Sequence, residues 1–337
     1  MSNPLISVLI PVYREGEILR NTIDSAMNQS YQDFEIVLVE NNADEVSLNI
    51  LKEYATRFPT KVRLVSQPVQ GAPSARNKGL KESRGEYIAM LEGDDVMYPN
   101  RLERQLAVFE KYKGEISLLS SEYDLVNWEN NRVIEKSKKK KNFWMTCLEL
   151  EDLFDSHPST WFFKKEKAIS IGMFNEIFNP RLVEDDEFNF KMFLSGKILC
   201  MEEYLVRVRL PSEDYLSIKD AQAPPEQVLY KLNNFFSILK CSLGSQSSIR
   251  YNENGFRKIK SQWLREQGIA FLSYKNGMAV GRKLILDAII EQKFDLKNWK
   301  AFFRSYLGSR YSNNLKERSI SEDELIFLMK NEFFILK

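Results

Sequence analysis

The sequence predicts an α/β fold: a mostly parallel central sheet flanked by helices, followed by a helical C-terminal extension. Three observations carry this. Apolar runs of strand length alternate with segments of helical spacing through the first 95 residues, giving the order βαβαβαβ of a sheet covered on both faces. The run at 86–91, Glu86-Tyr-Ile-Ala-Met-Leu91, has the composition of a fully buried strand and stops abruptly at Glu92, Asp94 and Asp95. Beyond residue 212 no comparable strand run occurs, and the chain turns helical, aromatic and basic. With 337 residues and 43% hydrophobic content it has room for one large domain and a smaller one, predicted at 1–212 and 213–337.

Each element follows from local pattern. Residues 5–12, L-I-S-V-L-I-P-V, form a β-rich run, and Ile18, Leu19, Ile23, Ala26 and Met27 then recur at helical spacing. Phe34 to Val39 is a second run, followed by a stripe of Ile50, Leu51, Tyr54, Ala55 and Phe58. V-R-L-V at 62–65 leads to a helix over Pro73 to Ser83. In such sheets ligands sit beyond the strand C-termini, where this chain carries Pro11, Tyr13 and Glu15, then Glu40, Asn41 and Asn42, then Glu92, Asp94 and Asp95. These residues are therefore expected to share one cleft. Three crowded carboxylates repel one another, and hard oxygen ligands suit Mg²⁺ or Mn²⁺, which clamps a diphosphate. The plainer reading is a solvated acidic turn.

Farther on, Leu102, Leu106 and Phe109 mark a helix, Ile116 to Ser121 and Tyr123 to Asn127 two strands, and Asn130-Asn131 a turn. Lys138 to Lys141 reads as a solvated loop or as a greeting to an anionic membrane. A helical segment near 146–155 ends at His157-Pro158, and Thr160 to Phe163 reads as a strand. Glu184-Asp185-Asp186-Glu187 opens a helix whose Phe188, Met192 and Leu194 face the core; acids in a first turn also simply complement the helix dipole. After Pro224-Pro225 come two stripes, Leu284, Ile285, Ala288, Ile289 and then Trp299, Phe302, Phe303, Tyr306, Leu307, the latter mixed with Lys297, Lys300, Arg304 and Arg310. They fit either a packed helical bundle or a cationic, aromatic face lying on a membrane.

Composition excludes several classes. Lys plus Arg (48) balance Asp plus Glu (47), so no general field draws nucleic acid, and none is expected as a partner. Cys147, Cys200 and Cys241 lack metal spacing and suit reduced thiols in a cytosolic protein. A single histidine, His157, argues against zinc. The first residues lack a basic stretch, Pro11 interrupts their apolar run, and nowhere do 18 apolar residues run together. The expected location is cytoplasmic, with peripheral attachment to the inner membrane face as an option.

Five blocks occur in a telling order: V-L-I-P-V-Y-R-E at 8–15, F-E-I-V-L-V-E-N at 34–41, G-A-P-S-A-R-N-K-G at 71–79, G-E-Y-I-A-M-L-E-G-D-D at 85–95 and V-E-D-D-E-F at 183–188. With I-G-M-F-N-E at 171–176 and L-V-R-V-R at 205–209, residues 5–212 resemble the family-2 glycosyltransferases of GT-A fold. The resemblance implies an inverting, metal-dependent enzyme, of hexosyl- or N-acetylhexosaminyl-transferase type. It would move a sugar from a nucleoside diphosphate, most often UDP, to a hydroxyl of a glycan or lipid-linked acceptor in cell-surface polysaccharide synthesis.

By the same resemblance Asp94 matches the metal-binding aspartate of a D-x-D signature whose first position is here Glu92, and Asp95 holds the loop or touches the donor. Arg76 corresponds to the arginine near the diphosphate. Pro11, Tyr13 and Glu15 match the nucleobase-side block, and Glu40 and Asn41 stand where paired aspartates are typical. Asp185, in the E-D pair, is the candidate general base. Asp186 competes for that role, but neighbours on a helix point about 100° apart, so only one faces the donor. Glu184 is expected to orient the loop or bind acceptor, and His157 falls in an H-P block near the acceptor. The departures at Glu92 and at 40–45 leave a second reading, a nucleotide-sugar- or partner-binding module without catalysis. A nucleotidyltransferase would carry a Gly-rich, Arg/Lys-bearing loop after the first strand, and this chain has none there.

Overall fold

A computed structural model of the chain describes residues 5–112, 114–127, 132–137, 143–145, 156–180, 183–209, 225–244, 253–272 and 278–307. The expectations for Asn130-Asn131, Lys138 to Lys141, the segment near 146–155, Pro224, Arg310 and the junction at 212 lie wholly or largely outside those residues. The chain falls into two compact units, Met1–Ser212 and Glu213–Lys337.

In the first unit β1 (Ile6–Val12), β2 (Phe34–Glu40), β3 (Val62–Ser66) and β4 (Tyr87–Met90) alternate with α1 (Ile18–Met27), α2 (Glu45–Arg57) and α3 (Ala72–Glu82). The four strands run parallel in the order β3-β2-β1-β4, as their apolar runs predict. Every residue of β1 is buried, the signature of a strand covered on both faces. The acid in the β2 interior, Glu35, is satisfied there: its Oε1 accepts from the Ser7 hydroxyl at 2.8 Å and from the Arg84 N–H at 2.6 Å.

Beyond β4 the sheet is mixed. It includes β5 (Val96–Met97), β6 (Ile116–Asn127), β7 (Arg132–Lys136), β8 (Phe143–Met145), β9 (Phe162–Lys164) and β10 (Lys197–Arg209), in the order β4-β9-β6-β10-β5. β9 runs antiparallel to β4, and β10 parallel to β6. This half corrects the sequence reading in one respect: residues 116–127 form one strand and not two. Glu122, which looks like a break, is buried within β6 and accepts a bond from the Ser137 hydroxyl. Among the described residues the other α-helices of this unit are α4 (Arg101–Lys111), α5 (Lys165–Ser170) and α6 (Glu184–Ser195).

The second unit contains α7 (Pro225–Gly244), α8 (Glu253–Leu272), α9 (Met278–Glu291) and α10 (Leu296–Leu307). α8 and α9 cross at glycines: a Cβ on Gly268 would lie 2.8 Å from the Gly281 carbonyl oxygen. Leu284, Ile285, Ala288 and Ile289 are buried, and Trp299 and Phe303 pack on Ile289. Trp299 and Phe303 are therefore core residues and not a membrane-facing stripe, a correction to one reading of that pattern. Among the described residues no helix is long and apolar enough to cross a membrane.

Candidate active site

β4 delivers its chain into a tight acidic loop. Leu91 N–H still donates to Leu9 O at 3.0 Å, then Asp95 N–H closes back on Glu92 O at 3.2 Å. Glycine at position 93 leaves room for Glu15: a Cβ there would lie 2.9 Å from the Glu15 carboxyl carbon and would push that side chain aside. Glu15 is held in that place by the Tyr13 N–H, which donates to its Oε2 at 2.8 Å. Burial, then the adjacent Asp94 charge, pushes the Glu15 carboxyl up to about 8.

Asp95 is buried, accepting from the Arg209 N–H at 2.9 Å and from the Ser159 hydroxyl. Burial and Asp94 also hold this carboxyl well above the usual range. Ser159 is a hub that the sequence reading missed, since its Oγ also accepts the Glu92 N–H at 2.9 Å. His157 completes the floor: Nδ1 accepts the Ser159 N–H at 3.3 Å, lies 3.5 Å from Asp95 Oδ2, and its ring is 5.7 Å from that of Tyr123. Beneath the loop, fully buried Arg101 donates to Met90 O at 2.9 Å, Trp161 O at 3.2 Å and Gln105 Oε1 at 2.9 Å, clamping β4 to the segment before β9. Burial pushes its guanidinium down to about 9, against the opposing pull of Asp95.

Arg76 joins the two acidic clusters. It sits on α3 with a relative exposure of 1%, and its Nη2 pairs with Glu92 Oε1 at 2.9 Å. Nη1 pairs with Asp185 Oδ1 and lies 3.7 Å from Glu184 Oε1 at the start of α6. Acids about ninety residues apart in sequence thus meet around one guanidinium. Phe174 lies 5.2 Å beneath that guanidinium and stacks on Phe188 at 4.0 Å. Asn77, the residue after Arg76, fixes this support by donating to Phe174 O and accepting from Phe174 N, each at 2.9 Å. On α6, burial and then Asp185 and Glu184 raise the Asp186 carboxyl well above its usual range.

At the ends of β1 and β2 the picture differs. Pro11 is buried in β1, and Tyr13 is half-buried under the Arg14 guanidinium at 4.8 Å. Glu40 accepts from the Ser66 hydroxyl at 2.6 Å and from the Ala43 N–H at 3.0 Å. Asn41 donates to Gln67 O at 2.6 Å and Val69 O at 2.8 Å and accepts from the Gly71 N–H at 2.9 Å. Both side chains bind the protein itself and fix the loops beyond β2 and β3.

Among the described residues no three His, Cys, Asp or Glu side chains are arranged to hold a metal ion by themselves. The donor chemistry nonetheless fits a hard divalent ion shared with a ligand. Mg²⁺ is commonly bound through one or two carboxylates plus substrate phosphates, and Asp94 already raises both Glu15 and Asp95 by like-charge repulsion that a cation would relieve.

A parallel half joined to a mixed half, with carboxylates at the strand ends around a buried arginine, is the GT-A class of fold. The glycosyl transferase family 2 model matches residues 7–172, just under half of the chain, and that stretch carries the family's domain. It is 29% identical over 225 residues to an uncharacterized glycosyltransferase of Methanocaldococcus jannaschii, covering 64% of this chain and 75% of that one. An uncharacterized glycosyltransferase of Rickettsia felis is 29% identical over 216 residues, covering 62% of this chain, and the match spans only 35% of that protein's length. A crystal structure of S. aureus TarS 1-349 in complex with UDP-GlcNAc superposes with a TM-score of 0.63 at 16% identity, covering 94% of this chain and 95% of that one.

Proposed function

We propose that the chain is an inverting glycosyltransferase that moves a sugar from a UDP-sugar to a hydroxyl of a glycan or lipid-linked acceptor in cell-surface polysaccharide synthesis, on the cytoplasmic side of the membrane. The observation that carries this is Arg76 bridging Glu92 and Asp185. A nucleotide-sugar donor is supported further by the TarS relative of like fold, whose structure holds UDP-GlcNAc. Catalysis is assigned to residues 1–212 and the helical region to 213–337.

Asp94 would hold Mn²⁺ or Mg²⁺; such an ion, when bound, neutralises the leaving diphosphate. Arg76 offers charge-assisted bonds to phosphate oxygens, which compete with Asp185 and Glu92 for its guanidinium. The acceptor hydroxyl attacks the anomeric carbon opposite the diphosphate, the carbon–oxygen bond to the diphosphate breaks, and the configuration inverts. Its proton passes to Asp185, whose Oδ1 faces Arg76 and whose Oδ2 is the atom we assign to receive it. Glu184, with a relative exposure of 1%, is assigned to orienting Arg76, ahead of the acceptor contact its sequence position suggests. His157 is assigned to the acceptor side, Asp95 to holding the loop beside the donor, and Pro11, Tyr13 and Glu15 to the nucleobase side.

Asp185→Asn is the test, with turnover followed by UDP release. Transfer should fall by about 10²- to 10⁴-fold while donor affinity is kept; unaltered transfer would remove Asp185 from the role. One observation favours a binding module without turnover, namely that Arg76 takes up the Glu92 carboxylate. Failure of the wild-type chain to turn over any UDP-sugar with Mn²⁺ present, despite a ligand-induced thermal shift, would establish that second reading.

A further inference from the structure

The corner joining α9 to α10 presents an apolar tip that nothing in the transferase reading uses. Phe294 is 93% exposed and Ile290 is 59% exposed. This corner is a built turn. Asp295 N–H donates to Gln292 O at 3.2 Å, and the buried Trp299 donates its indole N–H to Lys293 O at 2.7 Å, immediately before Phe294. The backbone that holds Phe294 in water is thus braced from the core of the unit.

Charge around the tip is one-sided. Glu291 is taken by Arg257 at 3.2 Å and by Lys260 at 2.7 Å. Asp295 is taken by Arg265 at 2.9 Å, and its other oxygen accepts the Lys297 N–H at 2.9 Å. Lys293 and Lys297 flank Phe294 and are exposed, and the acids beside them in sequence, Glu291 and Asp295, are already engaged.

We propose that this corner is a membrane-contact surface: Phe294 and Ile290 enter the headgroup–acyl boundary of an anionic bilayer while Lys293 and Lys297 bind its phosphates. An aromatic and an aliphatic side chain beside cations is the composition that interfacial insertion needs, and the attraction is to negative surface potential. A protein partner fits less well, because a stable interface buries roughly 800 Å² per partner and, among the described residues, this apolar tip consists of two side chains. The aromatic and basic helical region singled out in the sequence thus acts through the turn before α10, with Trp299 and Phe303 of that helix left in the core.

Co-sedimentation of the full chain with phosphatidylglycerol-containing vesicles, and with phosphatidylcholine alone, tests this without any sugar donor. Its failure is therefore separate from failure of the transferase reading. The wild-type chain should pellet with the anionic vesicles and release at high salt. Phe294→Glu should weaken binding by roughly tenfold or more with the circular dichroism spectrum unchanged, Phe294→Trp should retain it, and Lys293→Glu with Lys297→Glu should abolish the preference for anionic lipid. No pelleting of the wild-type chain, or equal pelleting of Phe294→Glu, overturns the proposal. So does a shift of Phe294→Glu from dimer to monomer on size exclusion with vesicle binding intact, which would make the tip a contact between copies.

Discussion

The end of β2 and the loop after β4 are both polar, both at strand C-termini and both in the cleft, yet they spend their side chains in opposite ways. At β2, Glu40 and Asn41 have hydrogen-bond partners within the protein, mostly on the main chain, and these bonds fix the path into α3. After β4, Glu92, Asp94 and Asp95 crowd with Glu15 and, through Arg76, with Glu184 and Asp185. One region is satisfied. The other gathers six carboxylates around one guanidinium, an excess of like charge that costs stability in the unliganded chain and becomes useful when a cation or its ligand arrives.

The sharpest way to break that contrast is to remove the cation in its middle. Arg76→Met leaves Glu92, Glu184 and Asp185 without their shared guanidinium, and removing one partner of a buried pair costs about 3–5 kcal/mol. A loss of that size in urea-unfolding free energy is expected, together with loss of transfer. Adding Glu184→Gln to Arg76→Met should recover part of the stability and none of the activity, since it removes the more deeply buried of the orphaned acids. If Arg76→Met cost nothing, the charge in this loop would be held by something other than Arg76.

A second, smaller effect follows from Glu15, whose carboxyl is raised from 4.5 to about 8. Below 4.5 both folded and unfolded chains hold that proton, and stability is unpenalised. Between 4.5 and 8 only the folded chain holds it, so stability is lost as pH rises, by at most about 1.4 kcal/mol per pH unit for this one group, and levels off above 8. The upward shifts of Asp95 and Asp186 act in the same direction. Unfolding midpoints measured from pH 5 to 8 should fall, Glu15→Gln should flatten the slope, and Mn²⁺ should flatten it in the wild-type chain by offsetting the Asp94 charge. A slope that Mn²⁺ leaves unchanged would count against a cation at Asp94.

What the sequence disclosed of this arrangement follows from what burial does to residue choice. Fully buried parallel strands require uninterrupted apolar runs, so β1, β2 and β4 were legible, and so were the acids that end them. Polar residues buried by a distant partner leave no such trace. Nothing in the sequence singles out Ser159, whose hydroxyl holds Glu92 and Asp95. Nor does it single out Asn77, whose amide meets Phe174 across from it. Glu122 reads as a strand break because its burial depends on Ser137, in a separate strand segment. Trp299 and Phe303 reverse the error: an amphipathic stripe looks alike whether its apolar side meets lipid or a neighbouring helix, and here it meets Ile289.

The smallest effect belongs to the satisfied region. Asn41→Ala leaves Gln67 O, Val69 O and the Gly71 N–H without their partner, which predicts a loss of about 1–3 kcal/mol in unfolding free energy. The pH slope assigned to Glu15 should stay as it was, because Asn41 contributes no charge to that loop. Asn41→Asp separates bonding from shape: a carboxylate still accepts from Gly71 but sets a charged oxygen against the two carbonyl oxygens at a buried position, so its loss should exceed that of the alanine chain. Should Asn41→Asp instead match the wild-type stability and tighten donor binding, the amide would be a ligand contact that merely rests on the protein when the donor is absent, and the two strand ends would differ less than their hydrogen bonds now indicate.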